Sequence, residues 1–402
     1  MLSDPCLGVS ALAFVRVDKE DMYLRSKLPH VGTTIFTVMS KMAQQYNAIN
    51  LSQGFPDFDC PQDLQERVSF YLNNRRNQYA PMTGVAELRQ QIALKLIDQY
   101  GCRLDADHEI TVTSGATEAL FDAIQATVSR DDEVIMFDPA YDSYDPAVRL
   151  AGGKPIHLRL QQPGYQINWQ QVAEHINDRT RMIIINSPHN PSGSVLSAAD
   201  LDILASLIRN RDIYVLSDEV YEHMVFDGGQ HESVLRHAEL REKSFAVFSF
   251  GKTYHATGWK MAFCAAPAAM TAEFRKVHQF VTFTSTSFLQ YAIADFMRDC
   301  PQHHQQLAAF YQQKRDYFCE LIRDSRFVFT PSAGTYFQCV DYSQISDLDD
   351  VAFVNWMTQE KGVAAIPLSA FYETPPESRV IRFCFCKDNS TLEQAAEILR
   401  RL

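Results

Sequence analysis

The sequence has no surplus of positive charge, so several classes of partner are excluded at the outset. Its 37 Lys and Arg are outnumbered by 49 Asp and Glu, for a formal net charge of −12. Such a balance argues against a surface that neutralises nucleic-acid phosphates or anionic lipid. We therefore expect neither nucleic acid nor a membrane as a partner. An anionic ligand would have to be bound by a few placed groups.

Long apolar runs and paired cysteines are also missing. Short apolar stretches such as 182–185 fall far below the roughly 20 residues that cross a bilayer. The 9 cysteines include no C-x-x-C pair, which predicts reduced thiols in a cytoplasmic protein and no metal site. The mildly apolar segment 7–15 has Asp4 but no Lys or Arg before it, so we expect no signal peptide. We interpret residues 1–25 as an N-terminal extension.

What is present is the composition of a folded enzyme-sized protein. The 402 residues are 46% hydrophobic and 21% charged, which predicts two or three globular domains. From about residue 85, strand-like and helical segments alternate, a pattern typical of a mostly parallel sheet covered by helices. We predict strands over 110–114, 133–137, 181–186, 213–217, 245–249 and 261–266.

The pattern changes after residue 300. A long polar helix is predicted over 303–323. It is followed by predicted strands over 327–330, 335–340 and 380–385, with helices over 348–361 and 391–402. These segments predict a second, smaller α/β domain at the C-terminal end.

The segment from Ser249 to Lys260 is the most informative part of the chain. Gly251-Lys252-Thr253 is not a P-loop, because Ala246 stands where that loop needs glycine. Lys252 instead follows a predicted strand end among aromatic residues. Desolvation there lowers an amine pKa toward the nucleophilic form that makes Schiff bases. The alternative is a pair of surface lysines around a turn.

The run Ser-x-x-Lys followed by Thr-Gly-Trp-Lys resembles the cofactor lysine segment of class I and II aminotransferases. These are fold-type I enzymes that depend on pyridoxal 5′-phosphate. The resemblance implies that Lys252 forms the internal aldimine and that Ser249 and Lys260 bind the cofactor phosphate. It also implies an α/β fold, with a mostly parallel seven-stranded sheet sandwiched by helices in the large domain, plus a smaller C-terminal α/β domain. The implied bounds are 26–59 for a segment packing with the small domain, 60–300 for the large cofactor-binding domain and 301–402 for the small domain.

Other motifs follow in the family's order. The loop 186–193 matches the pattern Asn-x-Pro-x-Asn-Pro-Ser/Thr-Gly, in which Asn190 would bond the cofactor's phenolic oxygen. Asp218, after a strand end, would keep the pyridine nitrogen protonated, and Tyr221 would share the phenolic oxygen with Asn190. Without the resemblance, Asp218 also reads as a helix N-cap and the loop as a Pro/Asn/Gly turn.

Three further positions complete the implied cofactor site. The strand-to-helix turn Gly115-Ala116-Thr117 resembles the family's phosphate-binding turn, since helix N-termini favour anions. Tyr141 falls where an aromatic ring stacks on the pyridine. Tyr79 matches the tyrosine that reaches the phosphate of the neighbouring subunit, so the resemblance implies a homodimer with shared active sites.

The substrate would be bound by an arginine and an aromatic wall. Arg382 interrupts an apolar strand and matches the family arginine that clamps the substrate α-carboxylate; the alternative is an edge arginine that snorkels to water. Gly54 would bring its backbone to the same carboxylate, and Asn190 would lie beside it. The predicted apolar wall comprises Phe55, Tyr141, Tyr336, Phe371 and Phe283 of the partner subunit.

Together these residues predict an aminotransferase that moves the amino group of methionine, an aromatic amino acid or glutamine to a 2-oxo acid by a ping-pong aldimine and ketimine mechanism. The motifs look most like the branch of methionine, kynurenine–oxoglutarate and glutamine–phenylpyruvate aminotransferases. Two alternatives stay open: a cysteine-conjugate β-lyase on the same fold, and a regulator that binds the cofactor, which would need a DNA-binding domain. One departure is Ala262, where the family usually has glycine. If the position needs a positive φ or a close backbone approach, the added methyl group would cost about 1 kcal/mol.

Overall fold

The computed structural model describes residues 26–402, so the predicted extension 1–25 lies outside the described residues. The strands are β1 (Ile49–Asn50), β2 (Ile110–Thr113), β3 (Glu133–Asp138), β4 (Lys154–Arg159), β5 (Thr180–Asn186), β6 (Tyr214–Asp218), β7 (Ser244–Ser249), β8 (Ala262–Ala265), β9 (Phe337–Asp341), β10 (Val363–Ala364), β11 (Ile366–Pro367) and β12 (Val380–Cys384). The helices are α1 (Ile35–Gln45), α2 (Gln62–Asn73), α3 (Ala86–Tyr100), α4 (Ala116–Thr127), α5 (Tyr144–Leu150), α6 (Trp169–His175), α7 (Ala198–Ile208), α8 (Ala238–Arg241), α9 (Phe250–Thr253), α10 (Ala268–Val281), α11 (Ser287–Asp299), α12 (Gln302–Leu321), α13 (Asp350–Trp356) and α14 (Asn389–Leu399).

Seven strands form the main sheet in the order β2-β8-β7-β6-β5-β3-β4. Neighbouring strands run parallel except around β8, which is antiparallel to both β2 and β7. Strands such as β3 are buried at every position. Their runs of successive apolar residues explain why they lie inside the sheet, because a sheet covered by helices on both faces needs strands that are apolar on both sides. Helices α4 and α10 cover one face of this sheet and pack on each other.

A second, three-stranded sheet has the order β11-β12-β9 with antiparallel pairs. Its core is a separate cluster of buried residues to which α12, α13 and α14 contribute. The chain also brings its first described segment here, since β1 pairs in parallel with β10 and α1 buries Met39 and Ala43 in the same cluster. The domain bounds inferred from the resemblance stay a prediction.

One predicted strand is wrong, and one strand of the main sheet was not predicted. Residues 327–330 are not a strand; only Val328 forms an isolated bridge, with Asp341. The apolar residues there are consistent with packing rather than pairing, since Phe327 is buried in the small-sheet cluster. The strand β4 has exposed Lys154 and Arg159 at its two ends and was not among the predicted strands, because an edge strand lacks the continuous apolar run of its inner neighbours. Within the described residues, the helices include none with the length and apolar character needed to cross a membrane.

Candidate active site

One cavity of about 310 Å³ gathers most of the predicted site residues. It lies where β5, β6 and β7 end, and it also receives side chains from the second sheet and from the loop after β1. The predicted residues that line it are Gly54, Gly115, Ala116, Thr117, Tyr141, Asn190, Asp218, Tyr221, Ser249, Lys252, Lys260 and Arg382. Carboxyl ends of parallel strands meet at one sheet edge, where open α/β sheets bind ligands.

Lys252 is held at the centre of this cavity by two oxygen atoms. It lies on the short helix α9, directly after β7, and its Nζ donates to the Tyr336 hydroxyl at 2.7 Å and to the Gly54 carbonyl at 3.2 Å. Burial lowers the pKa of Lys252 to about 8, because desolvation disfavours the charged amine. The amine is therefore partly in its nucleophilic form near neutral pH.

Glycine at position 54 is required for this arrangement. A Cβ atom there would lie 2.7 Å from Cζ of Phe337 and 3.5 Å from Cε2 of Tyr336. The Tyr336 hydroxyl also donates to the Gly54 carbonyl at 2.6 Å. The loop after β1 thus approaches β9 closely enough to share Tyr336 with Lys252.

Asp218 is the last residue of β6 and is almost fully buried. Its Oδ2 accepts a hydrogen bond from the Tyr144 hydroxyl at 2.7 Å, and its Oδ1 accepts one from the Val220 amide at 3.3 Å. Burial raises the pKa of Asp218 to about 6. A cation placed beside it would favour the charged carboxylate again. Burial likewise raises the pKa of the neighbouring Tyr221, well above its usual range.

The turn at Gly115 has the features of an anion site. Gly115 caps the N-terminus of α4 with φ of 92°, and a Cβ there would lie 2.9 Å from Cε and 3.1 Å from Nζ of Lys260. Only glycine accepts both this φ and this close approach at low cost. The ammonium of Lys260, the first amides of α4 and Ser249 therefore converge on the same part of the cavity, which suits a phosphate group.

Arg382 is a fully buried cation. Its Nη1 donates to Oδ1 of Asn190 at 2.7 Å and its Nη2 to the Ser52 carbonyl at 3.0 Å, whereas Nε has no hydrogen-bond partner within the described residues. The guanidinium lies 3.8 Å above the ring of Phe337. Among described residues no carboxylate forms an ion pair with it, and burial lowers its pKa. A ligand carboxylate would supply the missing charge and the acceptors for a bidentate contact.

Some predicted residues lie elsewhere in this chain. Tyr79 is 85% exposed and packs edge to face on Phe283 at 5.5 Å. Phe55 is 43% exposed beside Lys387 and does not line the described cavity. Tyr336 and Phe371, both predicted to line the substrate pocket, are buried near the site. The Tyr336 hydroxyl, however, accepts a hydrogen bond from Lys252. The roles predicted for Tyr79 and Phe55 stay predictions.

Other contributors were given no role by the sequence analysis. Asn186 lines the cavity and its Oδ1 accepts from the Asn190 amide at 2.8 Å, so it orients the loop that carries Asn190. The hydrogen bond of Tyr144 to Asp218 was also missed, although Tyr144 stands at helical spacing from Tyr141. The other additional lining residues are Phe36, Gln53, Leu120, Val220, Gly251, Thr257, Met261 and Phe337. Of these residues, only Asn186 could have been found from the sequence, because it is the first Asn of the 186–193 motif.

The backbone of Ala262 does not have the positive φ that would make glycine necessary there. Ala262 is the first residue of β8 and pairs with Thr113 and Ser249. It is not among the residues with positive φ, whereas Lys260 is, at 53°. The strain that a methyl group would cause at positive φ therefore does not arise.

Known proteins are similar to this chain over nearly its whole length. The family model described as aminotransferase class I and II matches residues 46–399. Methionine aminotransferase of Escherichia coli K12 is 54% identical over 378 residues, which cover 94% of this chain and 98% of that protein. Human kynurenine–oxoglutarate transaminase 1 is 33% identical and covers 90% of this chain and 94% of its own length.

Solved structures agree in overall shape. The structure of a methionine aminotransferase from Escherichia coli superposes with a TM-score of 0.93 at 54% identity, over 95% of this chain and 100% of that one. N-Succinyldiaminopimelate aminotransferase from Mycobacterium tuberculosis gives a TM-score of 0.91 at 34% identity, over 94% of this chain and 100% of that one.

Proposed function

Because the chain belongs to the class I and II aminotransferases, a family of pyridoxal 5′-phosphate-dependent transaminases, we propose that it transfers the amino group of methionine to a 2-oxo acid. The predicted fold class, the predicted enzyme class and the predicted cofactor are confirmed by the family match. The comparisons favour neither the β-lyase nor the regulator.

The residues of the cavity fit this cofactor. Its phosphate group suits the glycine turn beneath Lys260, where a Cβ would occupy the space. Its aldehyde suits the desolvated amine of Lys252, and its ring nitrogen suits the buried carboxylate of Asp218. When bound, the cofactor supplies a conjugated ring that accepts the electron pair released at the substrate Cα. We assign Tyr141 to the ring face, and Tyr221 with Asn190 to the phenolic oxygen.

The protein's own part in the reaction is proton transfer and orientation. With the cofactor bound, Lys252 Nζ would act as the base that removes the proton from the substrate Cα and as the acid that returns it. Its lowered pKa favours this use, since a catalytic base works best near the operating pH. Arg382 holds the α-carboxylate, and its partner Asn190 links that end of the substrate to the cofactor side.

The observation that carries methionine as donor is the charge distribution of the cavity. Lys252, Lys260 and Arg382 are the cations among the described residues that line it, and each already has a proposed partner. The rings of Phe36 and Phe337 lie beside Arg382, where they suit an uncharged side chain. The 54% identity to a methionine aminotransferase points the same way.

We expect a donor panel of methionine, phenylalanine, glutamine and aspartate to show the highest kcat/KM for methionine. Aspartate should fall at least about 100-fold lower, because its side-chain carboxylate would be desolvated without a partner. Each donor is assayed with the same set of 2-oxo acids by quantifying the amino acid formed. A preference for aspartate would contradict the proposal. Release of pyruvate from a cysteine conjugate without any 2-oxo acid would favour the β-lyase instead.

We also propose that the protein is a homodimer with shared active sites. The support is an exposed apolar patch formed by Tyr79, Phe280, Val281 and Phe283, of which Phe280 is 84% exposed. A contiguous apolar patch of this kind is typical of an interface. A cytoplasmic location is proposed because the 8 described cysteines are free.

The dimer proposal predicts that Phe280→Asp yields single chains. Sedimentation velocity should show two-chain particles for the wild type and one-chain particles for the variant, because a buried unpaired carboxylate opposes association. The variant should also bind the cofactor more weakly, since Tyr79 would no longer reach a neighbour. Val351→Asp, at a residue 45% exposed on α13, is the matched control and should leave association unchanged. A two-chain Phe280→Asp particle would contradict this assignment of the interface.

A further inference from the structure

A buried histidine links the two segments that carry the proposed phosphate contacts. His278 lies in the last turn of α10 with no exposed surface. Its Nε2 hydrogen-bonds the Met82 carbonyl at 2.9 Å, in the segment that follows Tyr79. Its Nδ1 lies 2.6 Å from Oε1 of Glu118. The other carboxylate oxygen of Glu118 accepts from the Ser114 amide, directly before the glycine turn.

The contacts favour two protons on the imidazole ring. The Met82 carbonyl only accepts, so Nε2 must carry a proton. Nδ1 then faces Glu118 and also Asp122, whose Oδ2 is 3.6 Å away. Asp122 is fully buried and neither of its oxygens has a hydrogen-bond partner within the described residues. A neutral ring would leave an acceptor nitrogen against two ionised carboxylates, and only a proton on Nδ1 or on a carboxyl group relieves this. Burial raises the pKa of Asp122 to about 6. Against the effect of burial, hydrogen bonds from His278 and the Ser114 amide lower the pKa of Glu118, which places the shared proton on the ring.

A proton fits that position better than a metal ion. Glu118, Asp122 and His278 do offer three ligand atoms within 4.8 Å of one another. Two ligands about 2.0–2.1 Å from a zinc ion at tetrahedral angles lie about 3.3 Å apart, whereas Nδ1 and Oε1 are separated by 2.6 Å, a hydrogen-bond distance. The carboxylates of Asp122 and Glu118, overcoming the effect of burial, also raise the pKa of His278 to about 9.

We propose that His278 is a positioning residue: as an imidazolium between Glu118 and Asp122 it ties the glycine turn at the start of α4 to the segment that carries Tyr79, and so tightens binding of the cofactor phosphate. The inference rests on the proposed phosphate site. The chain separations are large, 160 residues from His278 to Glu118 and 196 to Met82, so one ring sets the spacing of two distant segments. His278 itself touches neither cofactor nor substrate.

The test compares binding of two ligands to the apoenzyme. Pyridoxal 5′-phosphate and pyridoxal, which lacks the phosphate, are titrated against wild type and His278→Gln by absorbance and tryptophan fluorescence. We expect the Kd for pyridoxal 5′-phosphate to rise about tenfold in the variant, with little change for pyridoxal. Glu118→Gln should give the same selective loss, and the double variant should lose no more than either single one.

Phe274→Leu is the matched control, because Phe274 is buried one turn earlier on α10 beside His278. It should lower the Tm without changing the ratio of the two Kd values. Equal losses for both ligands, or the same loss in Phe274→Leu, would reduce His278 to a structural residue and overturn the inference. A wild type that binds neither ligand would instead contradict the proposed function.

The protonation state has its own readout. A 15N NMR spectrum of the histidine-labelled protein at neutral pH should contain one ring, absent from His278→Gln, with both nitrogens protonated. A ring with an unprotonated Nδ1 would overturn the imidazolium. So would a nitrogen shift on addition of Zn²⁺, since it would identify a metal ion as the cation of this cluster.

Discussion

Replacing Lys252 with alanine is expected to lower the transamination rate on the order of 10⁴-fold, the upper range for a positioned acid–base group. The variant should also lack the absorbance band of cofactor bound covalently to the lysine. Both effects have one cause, because the Nζ atom that attaches the cofactor is the one we assign to proton transfer. Lys252→Arg keeps a positive charge and should be as inactive as Lys252→Ala.

Loss of folding would not explain that result. Burial disfavours the charged form of Lys252, as its lowered pKa indicates, so alanine removes a desolvation cost. The Tyr336 hydroxyl still donates to the Gly54 carbonyl at 2.6 Å and keeps the loop in place. The apoprotein Tm should therefore be unchanged or higher. Lys276→Ala, on the surface of α10 beside Glu273, is the control and should keep full activity. Wild-type turnover by Lys252→Ala would refute the assignment.

Arg382→Lys is expected to reduce kcat/KM for methionine about 30-fold or more, and Arg382→Ala by at least as much. A lysine cannot reproduce the planar two-donor contact with a carboxylate, and loss of one partner from a buried charge pair costs about 2–5 kcal/mol. At about 1.4 kcal/mol per tenfold, these losses span roughly 30-fold to several thousand-fold. The effect should fall on kcat/KM rather than on cofactor affinity.

The structure supplies a control for this prediction as well. Arg379 lies three positions earlier, with a side chain 42% exposed and paired to Asp347. Arg379→Lys should leave kcat/KM within about twofold, since exposed ion pairs contribute little. Inhibition by simple carboxylates such as acetate should weaken in Arg382→Lys and not in Arg379→Lys. If Arg382→Lys kept wild-type kcat/KM, the carboxylate would have to bind elsewhere.

Much of the site could be predicted because its motifs are local. Lys252 and the glycine turn follow strand ends and Asp218 is the last residue of its strand, and such positions can be recognised from a few neighbouring residues. Apart from β4, the strands of the main sheet were predicted to within one or two residues because they are continuously apolar. The strand predicted over 327–330 was wrong because apolar residues can be buried by packing without pairing. The strain expected from a positive φ at Ala262 was also inferred from local sequence, and it does not arise because Ala262 has an ordinary strand conformation.

What the sequence alone determined is therefore the kind of fold, the family and the residues able to carry the chemistry, since these depend on residue type and near spacing. Only the tertiary structure decided which side chains contact and orient those residues. Tyr336 binds Lys252 across 84 residues, and Asn190 meets Arg382 across 192. His278 joins the glycine turn before α4, through Glu118, to a distant segment in the same way. Such contacts arise from the packing of separate elements, and burial together with neighbouring charges then shifts the pKa of Lys252, Arg382 and His278.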